Sequence, residues 1–301
     1  MISNLKTLLE TPVSKKLVIA VAQAADTDVM QVAAGASRFA DFLFVGDAQA
    51  IEARAAEACL PAVPGEIVDC RGEREAAERA VALVREGRAD MPMKGLMATS
   101  VFLKAVLDKE KGLRKNDLLS EVSVVDRVSD DDEPGLQFIT DCAMSIAPDL
   151  STKVKILKNA LSLAWTLGCD RPRVAVVTAV ETVNPDMPDT LDAAALSLMA
   201  RRGQLGSCLV DGPLALDNAL SEASARHKGI ESPVAGRADI LLVSDIRMGN
   251  VLHKSFTYVA KKRVAVAVIG ASAPVLMSSR SDHPEDKILA VALACRVLNS
   301  N

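Results

Sequence analysis

Short apolar runs spaced by stretches of helical periodicity limit the fold of this chain more than any other feature. Runs at 17–22, 42–45, 66–69, 89–93 and 119–125 alternate with helical patterns near 28–40, 48–58, 73–86 and 99–108. Strands that alternate with helices form successive βα units, which lay their strands parallel in one sheet. The rhythm resumes beyond the acidic turn 129–135, with strands expected at 173–179, 205–210, 238–244 and 263–270. Apolar residues at Val154, Leu157, Leu161, Ala164 and Trp165 make 151–167 an amphipathic helix, with Ser151 as its cap and Gly168 as its stop. A chain of 301 residues exceeds one simple domain, so two lobes are expected. The acidic turn marks their boundary, its charge run reads as solvated surface, and the last helix, 285–298, returns to the first lobe. The expected organisation is 1–128 together with 272–301 as one α/β lobe and 129–271 as the other.

Composition narrows the function classes. Half of the residues are apolar but only 3% are aromatic, with alanine and valine abundant, which suits helices pressed closely on strands. A formal charge of -4 argues against a general nucleic-acid binder, which carries a basic domain or stripe. Any polyanionic ligand must be held by a local cluster. Cysteines 59, 70, 142, 169, 208 and 295 form no CxxC pair and read as reduced, buried small hydrophobes of a cytosolic protein. His227, His253 and His283 lack a ligand-like spacing, so no zinc site is expected. The amino terminus has no long apolar core, which implies neither secretion nor a membrane span and places the protein in the cytoplasm. No GxGxxG follows the first strand and no GxxxxGK occurs, disfavouring a dinucleotide fingerprint or a P-loop.

Chemistry concentrates in 277–287, where an apolar strand leads through Ser279, Arg280, Asp282 and Asp286 into the last helix. That places a hydroxyl, a guanidinium and carboxylates at the carboxyl edge of a sheet, where open α/β folds bind ligands. The planar fork of Arg280 suits a phosphate. A structural reading stands beside it: Ser281 or Asp282 caps a helix whose first turn holds Pro284, Glu285 and Asp286. Two further loops invite an anion. Gly249 and Asn250 precede a helix expected at 251–260, and Lys94, Gly95 and Thr99 form a strand-to-helix loop in the other lobe. A glycine turn with an asparagine cap accounts equally well for Gly249 and Asn250. Asp141, Asp211 and Asp217 are not spaced as a compact metal loop; Asp217 reads as the cap of a helix at 218–226, and no metal is required.

Ser279, Arg280 and Asp286 resemble the Ser-Arg-x5-Asp signature of the phosphate acyltransferases, the phosphotransacetylase and phosphotransbutyrylase family. The resemblance covers almost the whole chain and is strongest from Phe138 onward. The segments 138–150, 232–239 and 249–250 are similar to the family at large. The segments 93–99, 109–114, 180–188 and 210–219 are similar to its phosphate butyryltransferase branch. Departures stand at Ser145, Ser244, Met248 and His253, where asparagine, proline, a small residue and tyrosine are usual. Met248 bears on the acyl or pantetheine pocket.

The resemblance implies an α/β, two-lobed, parallel-sheet-rich αβα sandwich like that of isocitrate and isopropylmalate dehydrogenases, with an active-site cleft between the lobes and a homodimer. It implies transfer of a short acyl group, butyryl or branched-chain before acetyl, between coenzyme A and inorganic phosphate. The partners are acyl-CoA or CoA and phosphate or acyl phosphate, with no tightly bound cofactor, nucleic acid or membrane. Asp286 is the best-matched base for the thiol proton, with Asp282 as its fallback; Ser279 orients the thiol or the carbonyl oxygen, and Arg280 holds the acyl phosphate. Arg114 is a weaker candidate for a coenzyme A phosphate. The alternatives are a phosphate acetyltransferase, a decarboxylating dehydrogenase on the same scaffold, and a coenzyme A-binding protein without catalysis.

Overall fold

A computed structural model of the chain describes residues 2–115, 118–128, 134–279 and 282–300. Its strands are β1 (Leu17–Ala22), β2 (Ala40–Gly46), β3 (Glu66–Asp69), β4 (Met91–Lys94), β5 (Ser120–Asp126), β6 (Leu136–Thr140), β7 (Arg173–Val177), β8 (Leu209–Leu214), β9 (Ile240–Leu242) and β10 (Ala265–Ile269). The chain divides into two compact units. One comprises Leu9–Asp117 with Ala265–Asn301, the other Met1–Leu8 with Leu118–Val264.

The first unit carries a parallel sheet in the order β3-β2-β1-β4. Ile19, Ala20, Val21 and Ala22 are fully buried; a parallel strand covered on both faces is necessarily an apolar run. Helix Glu73–Arg85 packs on β1 through the buried alanines Ala76, Ala77 and Ala80. Residues 275 and 276 extend the sheet beyond β4: Met93 pairs in parallel with Leu276, and Val275 pairs antiparallel with Val268 of β10. The last helix, Pro284–Asn299, packs on β10 and on helix Thr27–Gly35. In that contact, Gly35 faces Ile288 so closely that an added Cβ would lie 2.6 Å from Cδ1.

In the second unit the order is β5-β6-β9-β7-β8, parallel except for the antiparallel pair β5 and β6. The acidic turn, expected to divide the lobes, instead joins these two adjacent strands, and the Arg127 N–H donates to the Gly135 carbonyl at 2.8 Å. A connection this short cannot make the crossover that parallel strands require. β5 therefore belongs to the second unit, and the division falls before it. Residues 129–133 of that turn lie outside the described residues. Helix Leu150–Thr166 is capped by Asp149, whose carboxylate accepts the Thr152 N–H at 2.8 Å, and not by Ser151, which donates its hydroxyl to Asp149. The expected single helix over 218–226 is two short ones, Leu216–Leu220 and Glu222–His227, with Ser221 as the cap of the second. Among the described residues, no helix is long and apolar enough to cross a membrane.

Candidate active site

The carboxyl edge of the first unit's sheet gathers most of the residues singled out by the sequence. Lys94 ends β4, and its N–H donates to the Leu276 carbonyl at 2.8 Å. Because 275–276 runs parallel to β4, the segment leading to Ser279 leaves the sheet beside Lys94 and Gly95. Gly95 sits on the end of β1: its N–H donates to the Ala22 carbonyl at 2.9 Å, and an added Cβ would lie 2.4 Å from the Gln23 carbonyl oxygen. No side chain fits there. Lys94 is buried, and its ammonium donates to the carbonyls of Gly95 at 3.2 Å and Met97 at 3.5 Å. A buried cation needs such acceptors to offset its desolvation. Thr99 is exposed in the first turn of helix Thr99–Val106.

In the 277–287 segment the two candidate bases, Asp282 and Asp286, stand in different settings. The Asp282 carboxylate accepts the Ser279 N–H at 2.7 Å, and the Asp282 N–H donates to the Ser279 carbonyl at 3.2 Å, closing a tight turn. Arg280 and Ser281 lie outside the described residues. The last helix begins without a side-chain cap. His283 occupies the cap position and Pro284 the first turn, so the capping expected of Asp282 is replaced by its grip on Ser279. Asp286 is buried in that first turn. Next to it, the buried Lys287 pairs with Asp28 at 3.0 Å, which fixes the helix start to that of Thr27–Gly35.

Sequence reasoning passed over Gln23. It stands at the end of β1 with φ 54°, in the left-handed region, and its side-chain oxygen is buried without a hydrogen-bond partner. A strained residue with an orphaned acceptor beside a candidate site points to ligand contact. Nothing in its local sequence announces this, because glutamine carries no preference for that conformation. Arg114 goes the other way. It pairs with Ala271 at the hairpin tip before 275–276, on the amino edge of the same sheet, away from Lys94 and Ser279.

In the second unit, Gly249 and Asn250 lie inside helix Ile246–Lys254, not ahead of it. The helix start belongs to Asp245, whose carboxylate accepts the N–H groups of Arg247 and Met248. The Arg247 guanidinium holds that carboxyl below the usual carboxylate range. The amino end expected to hold an anion is thus occupied by the protein's own carboxylate. Gly249 has a packing reason instead: an added Cβ would lie 2.4 Å from the Asp141 carbonyl oxygen. Asp141 is buried and accepts N–H groups from Glu121, Ala143, Met144 and Ser145 at 3.0–3.2 Å, shaping the loop after β6. Asp211 accepts the N–H of Gly212, and Asp217 pairs with Lys228 at 3.2 Å in the first turn of its helix, not at its cap. Among the described residues, no three His, Cys, Asp or Glu side chains gather as metal ligands.

Two of the departures carry new bonds. The Ser244 hydroxyl lies 3.0 Å from both the Val177 carbonyl and an Asp189 carboxylate oxygen, tying the ends of β9 and β7. His253 is buried with Nδ1 2.9 Å from the Ser123 hydroxyl. The cysteines are all free; Cys59 is exposed and Cys169 half-buried, against the expectation of burial throughout. Burial pushes the thiol of Cys142 well above its ordinary value, that of Cys169 up to about 11 and that of Cys295 up to about 12. These thiols stay protonated at neutral pH, which leaves them poor nucleophiles.

Residues 73–295 match the family described as Phosphate acetyl/butaryl transferase. The chain belongs to this family, whose members are acyltransferases. It is 44% identical to the phosphate butyryltransferase of Clostridium acetobutylicum over 285 residues, 94% of this chain and 93% of the relative. To the phosphate acetyltransferase of Thermotoga maritima it is 43% identical over 229 residues, 76% of each chain. The crystal structure of a branched-chain phosphotransacylase from Enterococcus faecalis superposes with a TM-score of 0.83 at 31% identity, covering 94% of this chain and 99% of that one. A 4-hydroxythreonine-4-phosphate dehydrogenase from Klebsiella pneumoniae, 12% identical, shares the fold with a TM-score of 0.59, covering 94% of this chain and 99% of that one.

Proposed function

We propose that this protein transfers a short acyl group reversibly between coenzyme A and inorganic phosphate, using a four-carbon or branched chain better than acetyl. The observation that carries the reading is the pairing of Lys94 with Leu276, since it puts the Lys94–Thr99 loop and the Ser279–Asp286 segment at one sheet edge. The butyryl-like segments around Lys94 and Asp211 support the longer chain, as does the near-complete coverage of the butyryltransferase relative. In the proposed mechanism, Arg280 neutralises the transferring phosphate and the oxyanion, Ser279 orients the reacting group, and Asp286 takes the thiol proton. Lys94, Gly95, Thr99 and Gln23 contribute to substrate binding. With the buried thiols held protonated, direct attack of phosphate or thiolate on the acyl carbon is favoured over a cysteine-bound acyl intermediate.

The test is an acyl series in buffer containing phosphate and a chelator. Two added methylenes that fit an apolar pocket are worth about 1.6 kcal/mol, so butyryl-coenzyme A is expected to exceed acetyl-coenzyme A roughly tenfold in kcat/KM. A preference for acetyl makes the protein a phosphate acetyltransferase. Activity is expected to persist with the chelator, and its loss overturns the metal-free mechanism.

The two carboxylates separate by their partners. Asp286→Asn is expected to depress the rate with free coenzyme A as substrate more than Asp282→Asn does. Asp282→Asn weakens the grip on the Ser279 N–H at a cost of about 1 kcal/mol in stability, with a milder loss of rate. An inactive Asp282→Asn beside an active Asp286→Asn moves the base to Asp282.

The cytoplasmic homodimer belongs to the same reading. Val251, Tyr258 and Val259 are 66%, 48% and 80% exposed along 246–259, and Ile146, 76% exposed, accepts the Ile246 N–H through its carbonyl. Exposed apolar side chains along one helical segment supply the surface that such an association would cover. Sedimentation is expected to give twice the mass of one chain, and Val259→Asp to shift it toward the monomer.

A further inference from the structure

A cavity of about 740 Å³ opens at the amino edge of the first unit's sheet. It lies beneath Leu17, the first residue of β1, and Asp90, which precedes β4. Gly95 is five residue steps beyond Asp90, which at the strand rise puts roughly 16 Å between this cavity and the carboxyl edge. It is an open depression more than an enclosed cleft, with a volume in the range of small-molecule sites.

The charges around it are unbalanced. Lys15, Arg85 and Arg114 all line the cavity; among the described residues none of the three has a carboxylate within ion-pair distance, although Arg85 acts on Asp108, which lies outside the lining. The lining carboxylate, Asp90, is already engaged, accepting the Val18 N–H at 2.7 Å while its own N–H donates to the Val18 carbonyl. Nor is Arg85 needed to satisfy the carbonyls that end helix Glu73–Arg85. The N–H groups of Glu86, Gly87, Arg88 and Ala89 donate to Ala82, Val84 and Leu83. Unpaired cations around a concave surface raise its potential and draw anions.

The three cations also stand on fixed backbone. Asn299 accepts the Lys15 N–H at 3.1 Å and donates to the Lys15 carbonyl at 3.1 Å, pinning that segment to the end of the last helix. Arg114 is held by its pairing with Ala271, and the neighbouring Leu113 carbonyl accepts the Ser272 N–H at 2.8 Å. A site with a fixed backbone spends less of its binding free energy on ordering.

We propose that this cavity is a binding site for a small molecule carrying two or more anionic groups, separate from the acyl-transfer site. Lys15, Arg85 and Arg114 supply the countercharge, and the Ser272 hydroxyl lies among them as a hydrogen-bonding group. Phosphates and carboxylates share this chemistry, so the test uses a probe of each kind.

The experiment is calorimetric titration of the intact protein with pyrophosphate and, separately, with citrate at low ionic strength, comparing wild type with the Lys15→Ser, Arg85→Ser double variant. Both positions are exposed, so the variant is expected to melt with the wild type. At least one probe is expected to bind the wild type, and to bind the variant at least about tenfold more weakly, with the difference fading as salt is added. Acyl-transfer kcat and KM remain unchanged. Binding of pyrophosphate alone marks a phosphate site, of citrate alone a polycarboxylate site, and of both a site read by charge. Equal binding by variant and wild type, or no binding of either probe to the wild type, overturns the proposal.

Discussion

Arg280→Ala is expected to lower kcat by roughly 10²–10³ while leaving the protein folded, the loss typical of removing one donor to a developing oxyanion. The residue lies outside the described part of the chain, so the expectation comes from its neighbours. Ser279 and Asp282 close a turn on each other through their own backbone and carboxylate, and the last helix starts at His283 and Pro284 without a side-chain cap. Neither feature asks for a guanidinium at position 280. A structural arginine would show its loss in melting temperature, whereas a catalytic one shows it in turnover with melting unchanged. Arg280→Lys sharpens the distinction, because lysine restores the charge without the two-pronged donor. Partial recovery of kcat is expected. Wild-type turnover in a folded Arg280→Ala protein removes the segment from the active site.

Gly249→Ala is expected to lose stability, although alanine is the better helix former. Helix propensity favours the substitution by about 1 kcal/mol. Against this stands a Cβ placed 2.4 Å from the Asp141 carbonyl oxygen and 2.9 Å from the Cys142 Cα. Backbone cannot swing aside as a flexible side chain does, which puts the cost at the upper end of the usual overpacking range, about 3 kcal/mol. The net loss is then about 2 kcal/mol, a fall of roughly 3 °C in melting temperature for a chain of 301 residues. Asn250→Ala supplies the contrast, since Asn250 is exposed in the same helix. Its stability is expected to stay within about 0.5 kcal/mol of wild type. A stable Gly249→Ala protein with a raised KM for coenzyme A would return the pair to ligand binding.

The sequence by itself determined the βα rhythm, the positions of most strands and the residues that carry the family signature. β1 falls at the residues expected, 17–22, because a buried parallel strand must be apolar along its whole length and its pattern is therefore local; the short edge strand β3 also falls where expected, at 66–69. Gly168, expected as a helix stop, has φ 90°, a conformation that glycine adopts readily. Tertiary structure decided what depends on residues far apart in the chain. β6 went unread because its place in the sheet comes from pairing with β5 and β9. Gly249 looked like the turn before a helix, but its need for a bare Cα arises from the Asp141 loop, more than a hundred residues earlier. Likewise Asp282 looked like a cap until Ser279 turned back to meet it, and Arg114, a weak candidate for a coenzyme A phosphate, lies on the sheet edge opposite Lys94. A residue's type states which bonds it can make; only the packed chain brings the partner within reach.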